Sequence, residues 1–373
     1  MPPLFDPKIK IGIVGGGQLA RMLCLSLHQH GVNPWILSQS PEDPAAQVVR
    51  NWTPGDPQDS RTLQEFSRKV QVLTFESEFI SPEPLFAVAK KTFIFPSPVI
   101  MKAIQFRSSQ KELLRSFQIP TAPFWLCENK SHLDQAWKES RGHLVLKTLT
   151  GGYDGNGTFF PQSLPEAEEL LAKVKSDSGL GILAELKVSF KNEVAFMLFR
   201  SSRGEKVSYP LVRTFQHQGR CVFVEGPFSH RRSSAMKKKL FQMMDKIDYV
   251  GALGVEMFDT GQELLVNELA PRVHNSGHYS QNSLCPNQFD LHWMCGLGLK
   301  LPKVQLLSSK FSMWNLLGDR QNEIPFPKVL EKGHLHLYGK QDCRPGRKMG
   351  HVNFQSQLPQ DLHRIAKNLE KKK

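Results

Sequence analysis

Short apolar runs alternate with helical stripes over the first hundred residues, and this alternation constrains the fold more than any other feature. An apolar run at 9–14 leads into three glycines at 15–17 and then into a leucine- and methionine-rich helical stripe that stops at Gly31. Further short apolar runs follow at 34–38 and 70–75. Strands and helices that alternate at this spacing predict a parallel, doubly wound sheet.

The pattern changes beyond residue 120. A predicted strand at 144–148 precedes a glycine-rich loop at 151–157, and the chain from about residue 205 is typical of antiparallel strands. The segment 252–268 predicts two strands joined by a tight turn at 259–261. A chain of 373 residues exceeds the usual size of one hydrophobic core, so we expect two or three packed domains.

Composition is typical of a soluble enzyme, with 40% hydrophobic and 22% charged residues. The sequence contains no run of eighteen apolar residues and no secretory signal, so we expect no membrane span and a cytoplasmic location. The six scattered cysteines form no Cys-x-x-Cys pair, which argues against a zinc site or a disulfide scaffold. The net charge of +13 leaves nucleic acid and small polyanions such as nucleotides open as partners.

The first glycine loop has the spacing Gly15-x-Gly17-x-x-Ala20 between a strand and a helix. Backbone N–H groups of such a loop can approach an anion. A nicotinamide enzyme should carry an acidic residue at the end of the second strand, but no carboxylate occurs there before Glu42. The pattern therefore favours another phosphate group over a nicotinamide cofactor, and a purely structural tight turn stays open.

The second glycine loop, GGYDGNG at 151–157, follows Lys147 at the end of a predicted strand. Its glycines allow the loop to fold over a ligand and to offer several backbone donors to phosphate oxygens. The Gly-Lys-Ser/Thr ending of a Walker loop is absent. An ordinary glycine hairpin is the alternative, and the neighbouring lysine makes a phosphate site the better interpretation.

Glu256 lies on one strand of the predicted hairpin, and Asn267 and Glu268 lie on the next. Paired carboxylates with an amide oxygen are ligands suited to Mg²⁺ that also holds nucleotide phosphates. A glutamate on a solvent-exposed face is the alternative for Glu256. Two donor-rich segments follow, at 270–278 and 344–351, whose arginine, lysine and histidine side chains suit a phosphorylated or carboxylated ligand.

Taken together, these segments resemble the ATP-grasp superfamily and, within it, the 5-(carboxyamino)imidazole ribonucleotide synthase family. The likeness runs in order over nearly the whole chain. It rests on GGGQLARML (15–23), LTFESE (73–78), KTLTGGYDGNG (147–157), LLVNELAPRVHNSGHYSQN (264–282) and RPGRKMGH (344–351). Asn156 stands where the family usually has a cation, and His217 is displaced by one position from the family's histidine.

The resemblance implies a mixed α/β and α+β, three-domain ATP-grasp fold. It implies an N-terminal Rossmann-like pre-ATP-grasp domain at 1–105, a lid and central domain at 106–200, and a C-terminal domain with a small terminal β segment at 201–373. It further implies carboxylation of 5-aminoimidazole ribonucleotide with bicarbonate and ATP, with Mg²⁺ as a cofactor, in purine biosynthesis. A homodimer that passes its product to a mutase, without nucleic acid, is the implied assembly, and a formate-dependent ATP-grasp ligase is the alternative.

The resemblance also implies roles for individual residues. It implies carboxyl transfer by Asp154, Lys348 and Arg272, and a metal site at Glu256 and Glu268. It implies a substrate site at Gln18, Glu76, His274, Arg347 and Lys348. It implies an ATP site at Arg107, Lys147, Gly152, Tyr153, Asp154, Gly155, Asn156, Gly157, Thr158, Glu185, Leu186, Lys187, Val188, Glu193, Asn267 and Glu268.

Overall fold

A computed structural model describes residues 8–152, 156–324, 332–360 and 362–365. These residues form three larger sheets, which follow one another along the chain. We call them the N-terminal sheet, the middle sheet and the large sheet. Together they border a single cleft, described below.

The N-terminal sheet is parallel throughout, as the sequence predicted. Its strands are β1 (Ile11–Val14), β2 (Trp35–Ser38), β3 (Asn51–Pro54), β4 (Val72–Phe75) and β5 (Phe93–Ile94). Its helical segments are α1 (Gln18–Gln29), a 3-10 turn (Ala46–Val48), α2 (Ser60–Ser67), α3 (Pro82–Val88) and α4 (Pro98–Gln105). The spatial order β3-β2-β1-β4-β5 makes β1 and β4 neighbours. The loops after these two strands therefore meet at the carboxyl edge of the sheet, where ligands of such folds bind.

Strands β3 and β5 were not predicted from the sequence. Strand β3 has one fully buried residue, Thr53, and ends in a proline, so it shows neither alternation nor a continuous apolar run. Strand β5 is two residues long. Neither strand carries the periodic signal on which a prediction depends.

The middle sheet is antiparallel and carries two helices on its buried face. Its strands are β6 (Phe124–Cys127), β7 (Leu144–Thr148), β8 (Thr158–Phe159) and β9 (Ile182–Leu186), in the order β6-β9-β7-β8. Helix α5 (Arg107–Ser116) precedes the sheet, and α6 (Lys130–Glu139) and α7 (Leu164–Ser178) pack on it. Helix α7 ends at Gly179, whose φ of 69° is the left-handed conformation that glycine adopts most readily.

The large sheet contains the predicted carboxylate hairpin. It also contains part of the closing segment, the name we use for residues 340–351. Its strands are β10 (Asn192–Arg200), β11 (Lys206–Ser208), β12 (Val212–His217), β13 (Arg220–Gly226), β14 (Gly251–Asp259), β15 (Leu264–Ala270), β18 (Phe311–Leu317), β19 (His334–Leu337) and β20 (Lys348–Phe354). A ribbon of β16 (Leu284–Cys285) and β17 (Gln305–Leu306) accompanies it. The helical segments are α8 (Ser233–Lys246), a 3-10 turn (Asn275–Gly277), α9 (Ser280–Ser283) and α10 (Gln288–Gly296). Among the described helices, none is long and apolar enough to cross a bilayer.

The boundary between the middle and C-terminal domains stays a prediction. Strand β10 lies before the predicted boundary at residue 200, but it pairs with β12 and β14 of the large sheet. The linker before β6 also joins the large sheet, because the backbone N–H of Val266 donates to the Pro120 carbonyl at 2.8 Å. The linker that leads into the middle sheet is thus held to β15 by a backbone hydrogen bond.

A buried histidine on α10 joins the N-terminal sheet to the large sheet. The N–H of Ala252 on β14 donates to His292 Nδ1 at 3.1 Å, so the ring proton lies on Nε2. His292 Nε2 lies 2.8 Å from the hydroxyl of Thr74 on β4 and donates to it. Burial lowers the pKa of His292 to about 3, so the ring is neutral at physiological pH.

Acid should weaken this junction. The stability that neutral His292 contributes is complete above its unfolded-state pKa of about 6.5 and is lost as the pH falls toward the folded value of about 3. At about pH 5 the loss from this residue should reach about 2 kcal/mol. We expect His292→Gln, whose amide can form both hydrogen bonds without titrating, to lose that much less stability than the wild type between about pH 7.5 and pH 5. Urea unfolding at both pH values measures this difference, and equal losses would contradict the assignment.

Candidate active site

A cleft of about 1350 Å³ lies between the three sheets. Most of the residues that the sequence singled out border it. They are Gln18, Glu76, Arg107, Lys147, Gly152, Asn156, Thr158, Glu185, Leu186, Lys187, Val188, Glu193, Glu256, Asn267, Glu268, Arg272, His274, Arg347 and Lys348. Side chains from distant parts of the chain are thus brought to one site.

The predicted carboxylate hairpin is present, and its register places the two carboxylates on directly opposed positions. Glu256 on β14 and Glu268 on β15 are Cα partners. Like charges opposite one another destabilise a strand pair, so positive partners are needed. Arg107 provides one, with Nη1 3.3 Å from Glu268 Oε2. His274 Nε2 lies 3.6 Å from Glu256 Oε1, but burial lowers the pKa of His274 well below its ordinary value, so this ring is a neutral partner.

The donor set of this hairpin fits a divalent ion that shares its coordination with a ligand. Within the described ranges, no group of three or more His, Cys, Asp or Glu side chains is arranged to hold a metal. Two carboxylates beside the Asn267 amide are hard oxygen donors, which Mg²⁺ prefers, and Mg²⁺ in nucleotide sites takes further ligands from phosphates and water. The hairpin therefore suits a magnesium–nucleotide complex better than a metal held by protein alone.

A buried ion-pair network lies beside the hairpin. Glu185 on β9 is shared by two lysines: Lys147 Nζ lies 3.1 Å from Oε1, and Lys111 Nζ lies 3.3 Å from Oε2. Lys147 also donates to the Asn267 amide oxygen at 2.9 Å, and Lys111 donates to the Thr121 hydroxyl at 2.7 Å. One negative and two positive charges leave a surplus of +1 in this wall of the cleft.

Burial and charge act in opposite directions on this network. Burial raises the pKa of the Glu185 carboxyl, but Lys147 and Lys111 outweigh burial and hold that pKa below its ordinary value. Burial lowers the pKa of the Lys111 ammonium to about 8, although the Glu185 charge favours protonation. Glu185 and Lys111 are therefore predominantly charged at neutral pH.

The first glycine loop binds a carboxylate of the chain itself. The N–H of Gly17 donates to Glu76 Oε1 at 2.6 Å, and the N–H of Ala20 donates to Oε2 at 3.2 Å. A Cβ atom at Gly15 or Gly17 would approach the Glu76 side chain to 2.5 or 2.7 Å, so neither position has room for a larger residue. Burial raises the pKa of Glu76, while the two N–H groups lower it. The glycines are thus explained by Glu76 at the helix N-terminus, and an external phosphate at this loop stays a prediction.

Arg272, which follows β15, is held by a carboxylate from the N-terminal sheet. Its Nη2 donates to Glu78 Oε1 at 2.9 Å, and its Nε donates to Glu78 Oε2, so the ion pair is bidentate. Burial raises the pKa of Glu78, but Arg272 outweighs burial and lowers it. We call Arg272, His274, His278 and Lys348 the substrate wall, because all four border the cleft beyond the carboxylate hairpin.

The closing segment adds a second group of cations. Asp342 is shared by two arginines: its Oδ2 lies 2.6 Å from Arg344 Nε and 3.1 Å from Arg347 Nη1. Lys340 Nζ donates to the Lys348 carbonyl oxygen at 2.8 Å, and both lysines border the cleft. This side of the cleft has the chemistry of a site for a phosphorylated ligand.

Four glycine-loop predictions are not placed in the cleft by the described structure. Tyr153, Asp154 and Gly155 lie outside the described residues. The carbonyl of Gly157 accepts from the Thr148 N–H at 2.8 Å, and a Cβ atom there would lie 2.3 Å from the Thr148 hydroxyl oxygen. Gly157 thus closes the loop onto β7, and its contact with ATP stays a prediction.

The β12–β13 turn accounts for the displaced His217. The register of the pair shifts between Phe215 and Gln216, after which His217 pairs with Arg220. The turn residue Gln218 has a φ of 50° and Gly219 a φ of 73°, as in a two-residue hairpin turn. Gln216 and His217 both border the cleft as a result.

Sequence reasoning missed Lys111, Glu78 and Lys340. The buried face of α5 carries Gln110, Lys111 and Leu114, two of them polar, so helical periodicity gave no signal for Lys111. Glu78 lay within a motif used for the resemblance, but its partner is 194 residues away. Lys340 had no sequence signal that we can name.

Three family models match successive parts of the chain. They are the ribonucleotide synthetase preATP-grasp domain (8–105), the ATP-grasp domain (112–289) and the phosphoribosylaminoimidazole carboxylase C-terminal domain (312–364). The N5-carboxyaminoimidazole ribonucleotide synthase of Bacillus subtilis is 33% identical over 361 residues, which cover 95% of this chain and 93% of that protein. This chain belongs to the N5-carboxyaminoimidazole ribonucleotide synthase family.

Solved structures agree with this family. The ADP complex of the Staphylococcus aureus N5-carboxyaminoimidazole synthetase matches with a TM-score of 0.88 at 28% identity, covering 99% of both chains. The Aspergillus clavatus synthase in complex with ADP and 5-aminoimidazole ribonucleotide matches with a TM-score of 0.84 at 26% identity, covering 97% of this chain and 98% of that one. The predicted family and the predicted ATP-grasp fold with its N-terminal preATP-grasp domain are confirmed.

Removing the Lys111 charge should weaken nucleotide binding. In Lys111→Met, Glu185 would pair with Lys147 alone, and the surplus positive charge of the network would disappear. We expect the dissociation constant for ATP, measured by titration calorimetry, to rise about tenfold, or about 1.4 kcal/mol. Lys111→Arg keeps the charge and should stay within about threefold of the wild type. Unchanged affinity in a folded Lys111→Met protein would contradict this role.

Proposed function

We propose that this chain is an ATP-dependent ligase that carboxylates 5-aminoimidazole ribonucleotide with bicarbonate in purine biosynthesis. Its products are the N-carboxylated ribonucleotide, ADP and phosphate. Family membership supports this activity. The observation that carries the proposal is the short chain distance between two parts of the site. Glu268 of the carboxylate pair lies on β15, Arg272 of the substrate wall follows four residues later, and both border one cleft.

The nucleotide would lie between the middle sheet and the hairpin. Arg107 pairs with Glu268 and Lys147 donates to the neighbouring Asn267, so both cations suit the phosphate oxygens. The segment 185–188 leaves β9 at the cleft and is proposed to contact adenine, and Glu193 on β10 is proposed to accept from ribose hydroxyls. Gly152 and Thr158 flank the loop proposed to cover the triphosphate.

Glu256 and Glu268 are proposed to hold Mg²⁺. A bound Mg²⁺ would supply positive charge at the phosphate oxygens. The Arg107 side chain pairs with Glu268 and donates to the Gly152 carbonyl, both at 3.3 Å, and would then turn from Glu268 toward those oxygens. The side chain of Asn267 stays fixed by Lys147.

The ribonucleotide would lie along the substrate wall. Its phosphate suits Arg347 and Lys348, where two cations meet at the closing segment. Gln18 and Glu76 border the same side of the cleft from the N-terminal sheet and are proposed to contact the aminoimidazole. His274, held by Gln288 and Ser276, would orient the substrate beside Arg272.

The reaction balances in two steps. A bicarbonate oxygen bonds to the γ-phosphorus of ATP as the bond to ADP breaks, which gives carboxyphosphate. The exocyclic amine then forms a bond to the carboxyl carbon, phosphate leaves with the former bicarbonate oxygen, and the nitrogen loses a proton.

Lys147 and Lys348 would offset negative charge on the transferred groups, and closure of the glycine loop would exclude water from carboxyphosphate. Alternatively, carboxyphosphate breaks down to phosphate and free carbon dioxide beside the amine, and the amine nitrogen forms its bond to the carbon of carbon dioxide. Asp154, which lies outside the described residues, is proposed to assist this transfer.

Several finer expectations stay predictions. They are a homodimeric assembly, a cytoplasmic location, transfer of the product to the mutase of the same pathway, and the absence of nucleic acid as a partner.

Phosphate release from ATP should require both 5-aminoimidazole ribonucleotide and bicarbonate. We expect release in a coupled phosphate assay only when both are present, because the amine consumes the carboxyphosphate. Formate with glycinamide ribonucleotide serves as the control for the formate-dependent alternative. Release with that pair alone would overturn the proposed function in favour of the alternative.

Glu268→Gln should abolish turnover without unfolding the chain. The substitution removes one negative charge from the hairpin while it keeps the side-chain volume, and a loss of about 100-fold or more is expected. Glu263→Gln is the matched control, because Glu263 lies in the turn of the same hairpin and pairs there with Arg232 at 2.8 Å. Wild-type turnover in Glu268→Gln would refute the metal assignment.

A further inference from the structure

Gln288 begins helix α10 and uses every hydrogen-bonding group of its fully buried side chain. Its Oε1 accepts from the backbone N–H of His274 at 2.9 Å. Its Nε2 donates to the backbone oxygen of His274 at 3.0 Å and lies 2.7 Å from His278 Nδ1. One side chain thus binds both the backbone of the substrate wall and one of its rings.

These contacts determine which atom of each group carries a proton. The backbone N–H of His274 can only donate and its carbonyl oxygen can only accept, so the orientation of the Gln288 amide is fixed. The second hydrogen on Nε2 therefore points to His278 Nδ1, which must accept it. A neutral imidazole that accepts at Nδ1 carries its own proton on Nε2.

The surroundings of His278 keep the ring neutral and in place. Burial lowers the pKa of His278 well below its ordinary value, and Lys348, His336 and Arg272 act in the same direction. The backbone oxygen of His278 accepts from Asn353 Nδ2 at 3.0 Å. His278 is among the residues that border the cleft, and because Gln288 occupies Nδ1, Nε2 is the nitrogen left to donate.

The loop that carries these residues also leaves room for the glutamine. A Cβ atom at Gly277 would lie 2.7 Å from Gln288 Oε1. The N–H of Gln288 itself donates to the Ser280 hydroxyl at 3.0 Å, and that hydroxyl donates to the Gly277 carbonyl at 2.6 Å. The start of α10 and the 274–280 segment therefore form one rigid unit.

We propose that Gln288 is a positioning residue of the substrate wall: it fixes His278 as the Nε2–H tautomer, so that His278 offers the ribonucleotide a hydrogen-bond donor and not a base. The identity of the ligand rests on the proposed function, whereas the tautomer does not. An Nε2–H ring whose Nδ1 already accepts from Gln288 has no lone pair for the proton that the amine loses, so that proton goes to another acceptor. His278 then contributes to binding the ribonucleotide and not to proton transfer.

A second buried glutamine provides a matched control. Gln110 Oε1 accepts from the N–H of Leu269 at 2.8 Å, and its Nε2 donates to the Leu269 carbonyl at 3.0 Å. The remaining hydrogen goes to the Ile104 carbonyl at 3.1 Å and not to a ring. Gln110 and Gln288 therefore hold backbone in the same way, but only Gln288 contacts a histidine.

The tautomer can be measured on the wild-type protein. Long-range ¹H–¹⁵N correlation spectra of histidine-labelled protein at neutral pH distinguish the two neutral tautomers and the imidazolium. The His278 signals are assigned by their loss in His278→Asn. We expect a protonated Nε2 and an unprotonated Nδ1, and a proton on Nδ1 would overturn the proposal. This spectrum decides the question even if a Gln288 variant fails to fold.

The functional part is tested with Gln288→Glu, which keeps the volume and which, as a carboxylate, can only accept and has no hydrogen to give to Nδ1. We expect the His278 proton to move to Nδ1 and the KM for 5-aminoimidazole ribonucleotide to rise about tenfold, with the KM for ATP within about twofold. Gln110→Glu should leave the His278 signals and the ribonucleotide KM unchanged. Equal effects of both variants on the ribonucleotide KM would reduce Gln288 to a structural role. A wild-type protein that fails to carboxylate the ribonucleotide refutes the proposed function and leaves the tautomer result standing.

Discussion

Two carboxylates that oppose each other on β14 and β15 impose the main constraint on this molecule. Such a pair is unfavourable alone, and Arg107 offsets part of its charge. Arg107 starts α5, donates from its backbone to Leu149 at 2.9 Å and from its side chain to the Gly152 carbonyl at 3.3 Å, and also pairs with Glu268. Through Arg107, the charge of the hairpin is therefore connected to the start of α5 and to the glycine loop, as well as to the cleft itself.

The cleft is positive because acids in it are shared. Glu185 lies between Lys111 and Lys147, and Asp342 lies between Arg344 and Arg347. In each case one acid pairs with two long cationic side chains and leaves one positive charge over. The Glu185 pairs are buried and fixed in geometry, whereas the Asp342 pairs are more exposed. Both supply the surplus positive charge that a phosphorylated ligand requires.

Much of this site was predictable from residues that lie close together in sequence. The hairpin with Glu256 and Glu268 has two apolar strands and a turn, and the parallel start of the chain has clear periodicity. The partners of these residues were not predictable, because pairings such as Arg272 with Glu78 depend on how distant segments pack. Glu76 was expected to meet the substrate, but its carboxylate also binds the glycine loop, a contact that sequence spacing does not encode.

The Arg272–Glu78 pair spans 194 residues, and both side chains are largely removed from solvent. A shortened chain that began after the N-terminal sheet would retain the carboxylate hairpin but would leave a guanidinium without its counter-ion. Uncompensated charges of this kind are strongly destabilising. The nucleotide half of the enzyme could therefore not be transplanted on its own: any replacement for the first hundred residues would have to supply an acidic side chain at that place.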